Sequence, residues 1–240
     1  MKLSGKAENI DLLLKVFKNN GAQIPEFFYF SIDQFNKNKN LYINKIYNKT
    51  KIKNIIVRSS SYNEDKENFS NAGKYESCVL KRKSNIFIVS KLINNFVKQF
   101  KSKKDKIIIQ EYITNVDFSG VIFTKDINYD SPYYTINYDN SGKTNLITSG
   151  EKNDKIKSLI IYKNFSGKIK IFRKLIEASK KLEKIKNNER LDIEFALKNK
   201  KLILFQVRPL PKPKYKVHGF DYKSKDFDEY LLKIKKKINK

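Results

Sequence analysis

The sequence predicts an α+β fold. Stretches with helical spacing of apolar residues lie among short apolar runs of strand length. The runs between residues 106 and 163 are short, successive and separated by polar turns, as antiparallel strands are. Near the end, "LDIEFALKNKKLILFQVRPL" (191–210) alternates apolar and polar residues, passes through a polar knot and alternates again, which reads as a hairpin. Helices interleaved with mostly antiparallel strands define the α+β class. The helix-first half and the strand-rich remainder suggest two lobes with a cleft between them, 1–105 and 106–212, followed by a basic tail over 213–240.

The elements follow in order. Leu12, Leu13, Leu14, Val16 and Phe17 form an apolar stripe that predicts a helix over about 6–19, ended by Gly21. "IPEFFYF" (24–30) reads as a strand, and Ser31 caps a short helix to about Asn38. "NIIVRSSS" (54–61) is a buried strand running into an aperiodic loop, 61–75. Ile86, Val89, Leu92, Ile93, Phe96 and Val97 share one side of a helix over 85–100. Strands are expected at 106–113, 118–124, 133–139, 145–150 and 155–163, and a helix at about 170–187. "PLPKPK" after Arg208 breaks regular structure, and "FDEYLLKIKKKINK" reads as a short basic helix.

Hydrophobic content of 40%, with 17 Phe and 14 Tyr, supplies a core. No apolar run approaches the roughly 18 residues that span a bilayer, and the N-terminus lacks the pattern of a signal peptide. The single Cys78 excludes an intrachain disulfide and suits a reducing cytoplasm. A net charge of +26 suggests a polyanionic partner such as nucleic acid. The basic residues, however, are 46 Lys and only five Arg, spread along the chain and accompanied by abundant Asn, Ile and Tyr. That pattern fits a biased genome better than a selected basic groove. A chain that drifts to Lys keeps Arg where a planar fork is needed. Arg58 in "NIIVRSS" and Arg208 in "LILFQVRPL" both stand in apolar, strand-like settings.

Register decides the chemistry of the hairpin. A two-residue turn at Asn199–Lys200 pairs Glu194 with Phe205. A three-residue loop, 199–201, pairs Glu194 with Gln206 and Asp192 with Arg208. It also gathers Leu191, Ile193, Phe195, Leu197, Ile203, Phe205 and Val207 on one core face, so the hydrophobic pattern selects the odd loop. Two carboxylates, an amide oxygen and a guanidinium then share the other face. Hard oxygens suit Mg²⁺, and an adjacent Arg suits a phosphate oxygen. The same spacing also fits a solvated face with a cross-strand Asp–Arg pair.

Four segments, in order, resemble the nucleotide-binding domain of phosphoenolpyruvate synthases and pyruvate phosphate dikinases. They are "SGKAENIDLLLKVFKNNGAQIPEFFYFSIDQF", "IIVRSSSYNEDKENFSNAGKYESC", "IIIQEYITNVDFSGVIFTKD" and the hairpin over 191–210, together spanning residues 4 to 210. The resemblance implies a two-lobed ATP-grasp-type fold that binds ATP and Mg²⁺. It implies Lys6 and Arg58 on the phosphates, Gly73 with Ala72 and Ser77 in a loop closing over them, and Gln110, Glu111 and Ile113 beside the adenine. It further implies Glu194 and Gln206 as metal ligands, Arg208 on the terminal phosphate and Asp192 in support. Arg58 and Arg208 are the expected catalytic pair. The implied activity is that of a kinase- or dikinase-type phosphotransferase donating phosphate to a histidine on a carrier domain or partner protein. "INYDNSGKTNLITSG" departs from the family by lacking its Gly-Leu-Gly-Glu, with Asp139 as a substitute acid. The one histidine, His218 in "YKVHGFDY", does not resemble the family's phosphohistidine motif and reads as a tail residue. The charge and the missing Gly-Leu-Gly-Glu keep an alternative open: a non-catalytic nucleotide-binding fold that contacts RNA or an acidic partner.

Overall fold

A computed structural model describes residues 5–18, 21–60, 77–142, 144, 156–164 and 171–213. The loop carrying Ala72 and Gly73, the strand expected at 145–150 and nearly all of the expected tail, with His218, lie outside the described residues. The elements are α1 (Lys6–Phe17), β1 (Phe27–Ser31), α2 (Ile32–Lys37), α3 (Lys39–Thr50), β2 (Ile55–Ser60), β3 (Cys78–Leu80), α4 (Ile86–Val97), β4 (Lys106–Glu111), β5 (Phe118–Phe123), β6 (Tyr133–Asp139), β7 (Lys157–Tyr162), α5 (Arg173–Lys186), β8 (Leu191–Lys198) and β9 (Lys201–Pro209). Strands β1, β4, β2 and β3 form one sheet in that order; β7, β6, β5, β8 and β9 form the other. Every strand pair is antiparallel. This is the α+β class with antiparallel sheets that the sequence predicts.

Local chemistry sets the ends of the elements. Ser31 caps α2 through a full capping box: its hydroxyl accepts from Gln34 N–H, and Gln34 Oε1 accepts from Ser31 N–H. Asn85 caps α4 by accepting from the N–H of Ile88 at 2.8 Å. Asn187 closes α5 in the left-handed conformation, φ 47°. Two elements lack an expectation in the sequence. The helix α3 buries only Ile43, Ile46 and Thr50 and carries little apolar residue otherwise, so its stripe is thin. The strand β3 has three residues, too few to show a period.

Each sheet has its own core. One face of the four-stranded sheet, with Phe30, Ile55, Val57, Ile107 and Ile109, packs on α2, α3 and α4 through Phe35, Ile46, Ile93 and Phe96. One face of the five-stranded sheet, with Ile122, Ile136, Ile193 and Phe195, packs on α5 through Leu175, Ala178 and Leu182. The helix α1 serves both. Its Leu12, Leu13 and Phe17 join the second core, while Ala7 and Ile10 meet Ile108, Phe27 and Tyr29 of the first sheet. The expected lobe boundary at 105/106 falls at the start of β4, and β4 is a central strand of the four-stranded sheet.

The hairpin reaches the expected pairing by a different route. Asp192 pairs with Arg208 and Glu194 with Gln206, but Lys198 pairs with Lys201. The turn therefore has two residues, Asn199 and Lys200, both at positive φ (51° and 61°) as a type I′ turn requires. The odd residue is absorbed by a bulge: Glu194 faces Gln206, the next residue Phe195 faces Leu204, and Phe205 is the extra one. The three-residue loop over 199–201 is thus corrected. So is the core face, which takes Leu202 and Leu204, while Ile203 and Phe205 join Ala196 on the opposite side. Leu202–Phe205 is apolar at every position and both faces are buried, so alternation cannot place the bulge.

Gly120 lets β5 and β6 approach. A Cβ there meets the Asn137 carbonyl oxygen at 2.0 Å and Tyr138 Cα at 2.9 Å, both backbone atoms. Gly120→Ala is expected to cost about 2 kcal/mol or more, since overpacking against backbone cannot be relieved by a rotamer. Urea unfolding of the two chains measures it, and a midpoint equal to wild type contradicts the close approach.

Candidate functional site

The second face of each sheet carries the polar residues. On the four-stranded sheet, Arg58 of β2 and Gln110 of β4 share a face with Ile56 and Ile108. On the five-stranded sheet, Asp192 and Glu194 of β8 lie level with Arg208 and Gln206 of β9. The two faces meet. Arg58 Nη1 donates to Glu194 Oε2 at 2.9 Å, and Gln110 Nε2 donates to the Phe205 carbonyl at 3.4 Å. Beside them, Arg208 Nε donates to Asp192 Oδ2 at 2.7 Å. Lys6 stands in the first turn of α1, and its ammonium acts on both carboxylates.

The electrostatics of the two acids diverge. Burial pushes Glu194 up, but Arg58, Arg208 and Lys6 outweigh it and hold the carboxyl below its ordinary range. Burial also pushes Asp192 up; the Arg208 guanidinium opposes this, the Glu194 charge adds to it, and the carboxyl stays raised. Polar atoms are left over. Gln110 Oε1, Asp192 Oδ1 and Gln206 Nε2 are buried with no hydrogen-bond partner. A buried polar atom without a partner costs on the order of 1–3 kcal/mol, and three on facing surfaces mark where a polar ligand would satisfy them.

Next to the polar group lies a small apolar cluster of Val116, Ala196, Ile203 and Phe205, with Ile113 packed against it. The bulge creates this cluster, because it turns Ile203 and Phe205 toward the site face. Sequence pattern assigned them to the core; the run Leu202–Phe205, apolar at every position, leaves no signal for the reversal.

The other expected residues are placed as follows. Glu111 turns its side chain to the opposite face of β4, where it pairs with Lys53 at 2.9 Å. Ile113 gives its carbonyl to the Thr144 hydroxyl at 3.2 Å. Ser77 is exposed and lies one residue before β3, whose Cys78 pairs with Val57, the neighbour of Arg58. Of the remaining arginines, Arg190 binds Asp130 and the carbonyl of Pro211, tying the β5–β6 loop to the chain beyond β9.

The donor set suits Mg²⁺. Among the described residues no group of three or more His, Cys, Asp or Glu gathers to cage a metal. Two carboxylates and an amide, with Asp192 Oδ1 unpartnered, instead suit an ion that takes its other ligands from phosphate and water. No helix among the described residues is long and apolar enough to cross a membrane.

No family model matches the chain, and no curated protein matches it. Solved structures do. D-alanine–D-alanine ligase from Helicobacter pylori is 16% identical at a TM-score of 0.43, over 94% of this chain and 56% of that one. The Bacillus anthracis D-alanine–D-alanine ligase complexed with ATP is 12% identical at 0.46, over 94% and 64%. D-alanyl-alanine synthetase A from Vibrio cholerae is 8% identical at 0.47, over 88% and 61%. The chain spans between about half and two thirds of the length of these structures.

Arg58→Ala strands Glu194 without its partner and is expected to cost about 3–5 kcal/mol in urea unfolding, with most of it recovered by adding Glu194→Gln. The pH dependence has opposite signs at the two acids. Glu194, lowered on folding, contributes stability that is present above its unfolded pKa and is lost as pH falls through its folded one. Asp192, raised on folding, contributes stability that is present below its unfolded pKa and is lost as pH rises through its folded one. Asp192→Asn therefore raises the unfolding midpoint at neutral pH, and the gain disappears in acid; a loss at neutral pH contradicts the assignment.

Proposed function

We propose that the chain is an ATP-binding phosphotransferase domain of the ATP-grasp type, with the two sheets as its lobes and the nucleotide held between them. The observation that carries this is the meeting of Arg58, Lys6 and Arg208 with Asp192, Glu194 and Gln206, next to an apolar cluster and with buried polar atoms left unpaired. Cations of fixed charge beside hard oxygen ligands are what a polyphosphate and its metal require. The ordered resemblance of four sequence segments supports the same reading.

In this proposal Asp192, Glu194 and Gln206 hold Mg²⁺, which when bound supplies charge neutralisation at the phosphate oxygens. Lys6 donates to those oxygens as a point charge. Arg58 and Arg208 donate as planar forks and stabilise the charge that develops during transfer. The base packs on the apolar cluster of Ile113, Val116, Ala196, Ile203 and Phe205, and the Gln110 amide stands at its edge. The acceptor is an imidazole nitrogen on a separate carrier domain or protein: it attacks a nucleotide phosphorus, the bond from that phosphorus to its bridging oxygen breaks, and the remaining nucleotide leaves. Pyruvate, or another compound served by that carrier, would receive the phosphate in turn.

Isothermal titration tests it. Mg-ATP binding is expected, with a loss of about tenfold or more on Arg208→Ala, since a charge-assisted hydrogen bond to phosphate is worth on the order of 1.5–3 kcal/mol. Glu194→Gln should abolish the dependence on Mg²⁺. An affinity that is metal-independent and unchanged in Arg208→Ala defeats the proposal. RNA binding that falls steeply with salt and survives loss of Lys6, Arg58 and Arg208 would establish the non-catalytic alternative instead.

A further inference from the structure

One buried acid on the site face of the five-stranded sheet has no part in the cation pairs. Asp139 ends β6 and is 1% exposed. Its Oδ2 accepts from the Ser141 N–H at 2.8 Å and from the Ser141 hydroxyl at 2.5 Å. Its Oδ1 is buried without any hydrogen-bond partner. A half-satisfied carboxylate in such a place is costly unless something fills the vacant position.

Register gives its surroundings. Antiparallel partners share a face, so Asp139 looks the same way as Ser119 and, across β5, as Ala196. Ala196 belongs to the apolar cluster, and Glu194 stands two residues away along β8. The turn after Asp139 is fastened to the segment that carries Ile113 and Val116 of the cluster. Val116 N–H donates to the Gly142 carbonyl at 3.5 Å, and the Thr144 hydroxyl donates to the Ile113 carbonyl at 3.2 Å. The lone oxygen therefore belongs to a residue on the site face of the sheet, level with Ala196 of the apolar cluster and two strands away from β8.

We propose that Asp139 accepts a hydrogen bond from the nucleoside end of the ligand, a ribose hydroxyl or a base amino group, and so makes the site discriminate a nucleotide from bare polyphosphate. The inference rests on the nucleotide reading of the site and adds a specificity-determining residue to it. A carboxylate oxygen can only accept, which excludes a ligand with no O–H or N–H donor at that end. Oδ2 is already engaged by Ser141, which fixes the orientation of the side chain and leaves Oδ1 as the recognising atom.

The test is titration of the full chain, wild type and Asp139→Asn, with the Mg²⁺ complexes of ATP, 2′-deoxyATP, 3′-deoxyATP, inosine triphosphate and tripolyphosphate. In wild type, one nucleotide analogue should bind about 10- to 100-fold more weakly than ATP, the value of one hydrogen bond to a charged group. In Asp139→Asn, ATP should weaken by a similar factor, tripolyphosphate should be unchanged, and the selective analogue should match ATP. Which analogue is selective tells ribose from base. Wild-type chain that binds all four nucleotides equally overturns the inference whatever the variant does, and so does a variant that loses ATP and tripolyphosphate alike. If wild type binds no Mg-ATP, the nucleotide reading itself fails and this inference falls with it.

Discussion

Two carboxylates buried side by side cannot both stay ionised without cations, and that constraint organises the site. Glu194 and Asp192 alternate along β8 on the face that meets the other sheet. Glu194 draws Arg58 across from β2, Asp192 draws Arg208 from β9, and Lys6 completes the ring of positive charge. The Arg58–Glu194 contact is also a join between the sheets, since its partners come from β2 and β8. Removing either partner leaves a charge in a poorly hydrated place, so the ion pair couples the electrostatics of the site to the assembly of the fold.

The rest of the architecture holds those two faces in register. The helix α1 buries one side in each core and carries Lys6 at its start. Gly120 admits the backbone of β6 and keeps the five-stranded sheet tight behind β8. The bulge at Phe205 lets β9 present Gln206 and Arg208 toward the site and still deliver Leu202 and Leu204 to the core. A site assembled on strands and supported this way holds its charged groups in fixed positions, as the proposed function requires.

Much of this was legible in the sequence, and the exceptions have physical causes. Strands β4, β5 and β6 stand out because their apolar runs are rich in Ile, Val and Tyr and end at polar turns. The pairing of Asp192 with Arg208 and Glu194 with Gln206 followed from the hydrophobic pattern, which selected an odd register for the hairpin. The loop length did not follow, because a two-residue turn with a bulge and a three-residue loop shift the register equally, and Leu202–Phe205 offers no polar residue to tell them apart. The helix α3 escaped because its buried face is three residues wide. The apolar cluster on the site face escaped because it exists only through the bulge. The unpaired oxygen of Asp139 escaped because hydrogen-bond deficits have no sequence signature.

The proposed function requires this cluster to bind a metal together with phosphate rather than alone. Two carboxylates already paired with arginines are a poor site for a free divalent ion and a good one for an ion that brings phosphate oxygens of its own. Titration of the chain with Mn²⁺, followed by the loss of the free-ion electron paramagnetic resonance signal, tests this directly. The expected result is weak uptake of Mn²⁺ alone and roughly stoichiometric uptake once a non-hydrolysable ATP analogue is present, abolished by Glu194→Gln. Equal Mn²⁺ uptake with and without the nucleotide would contradict it.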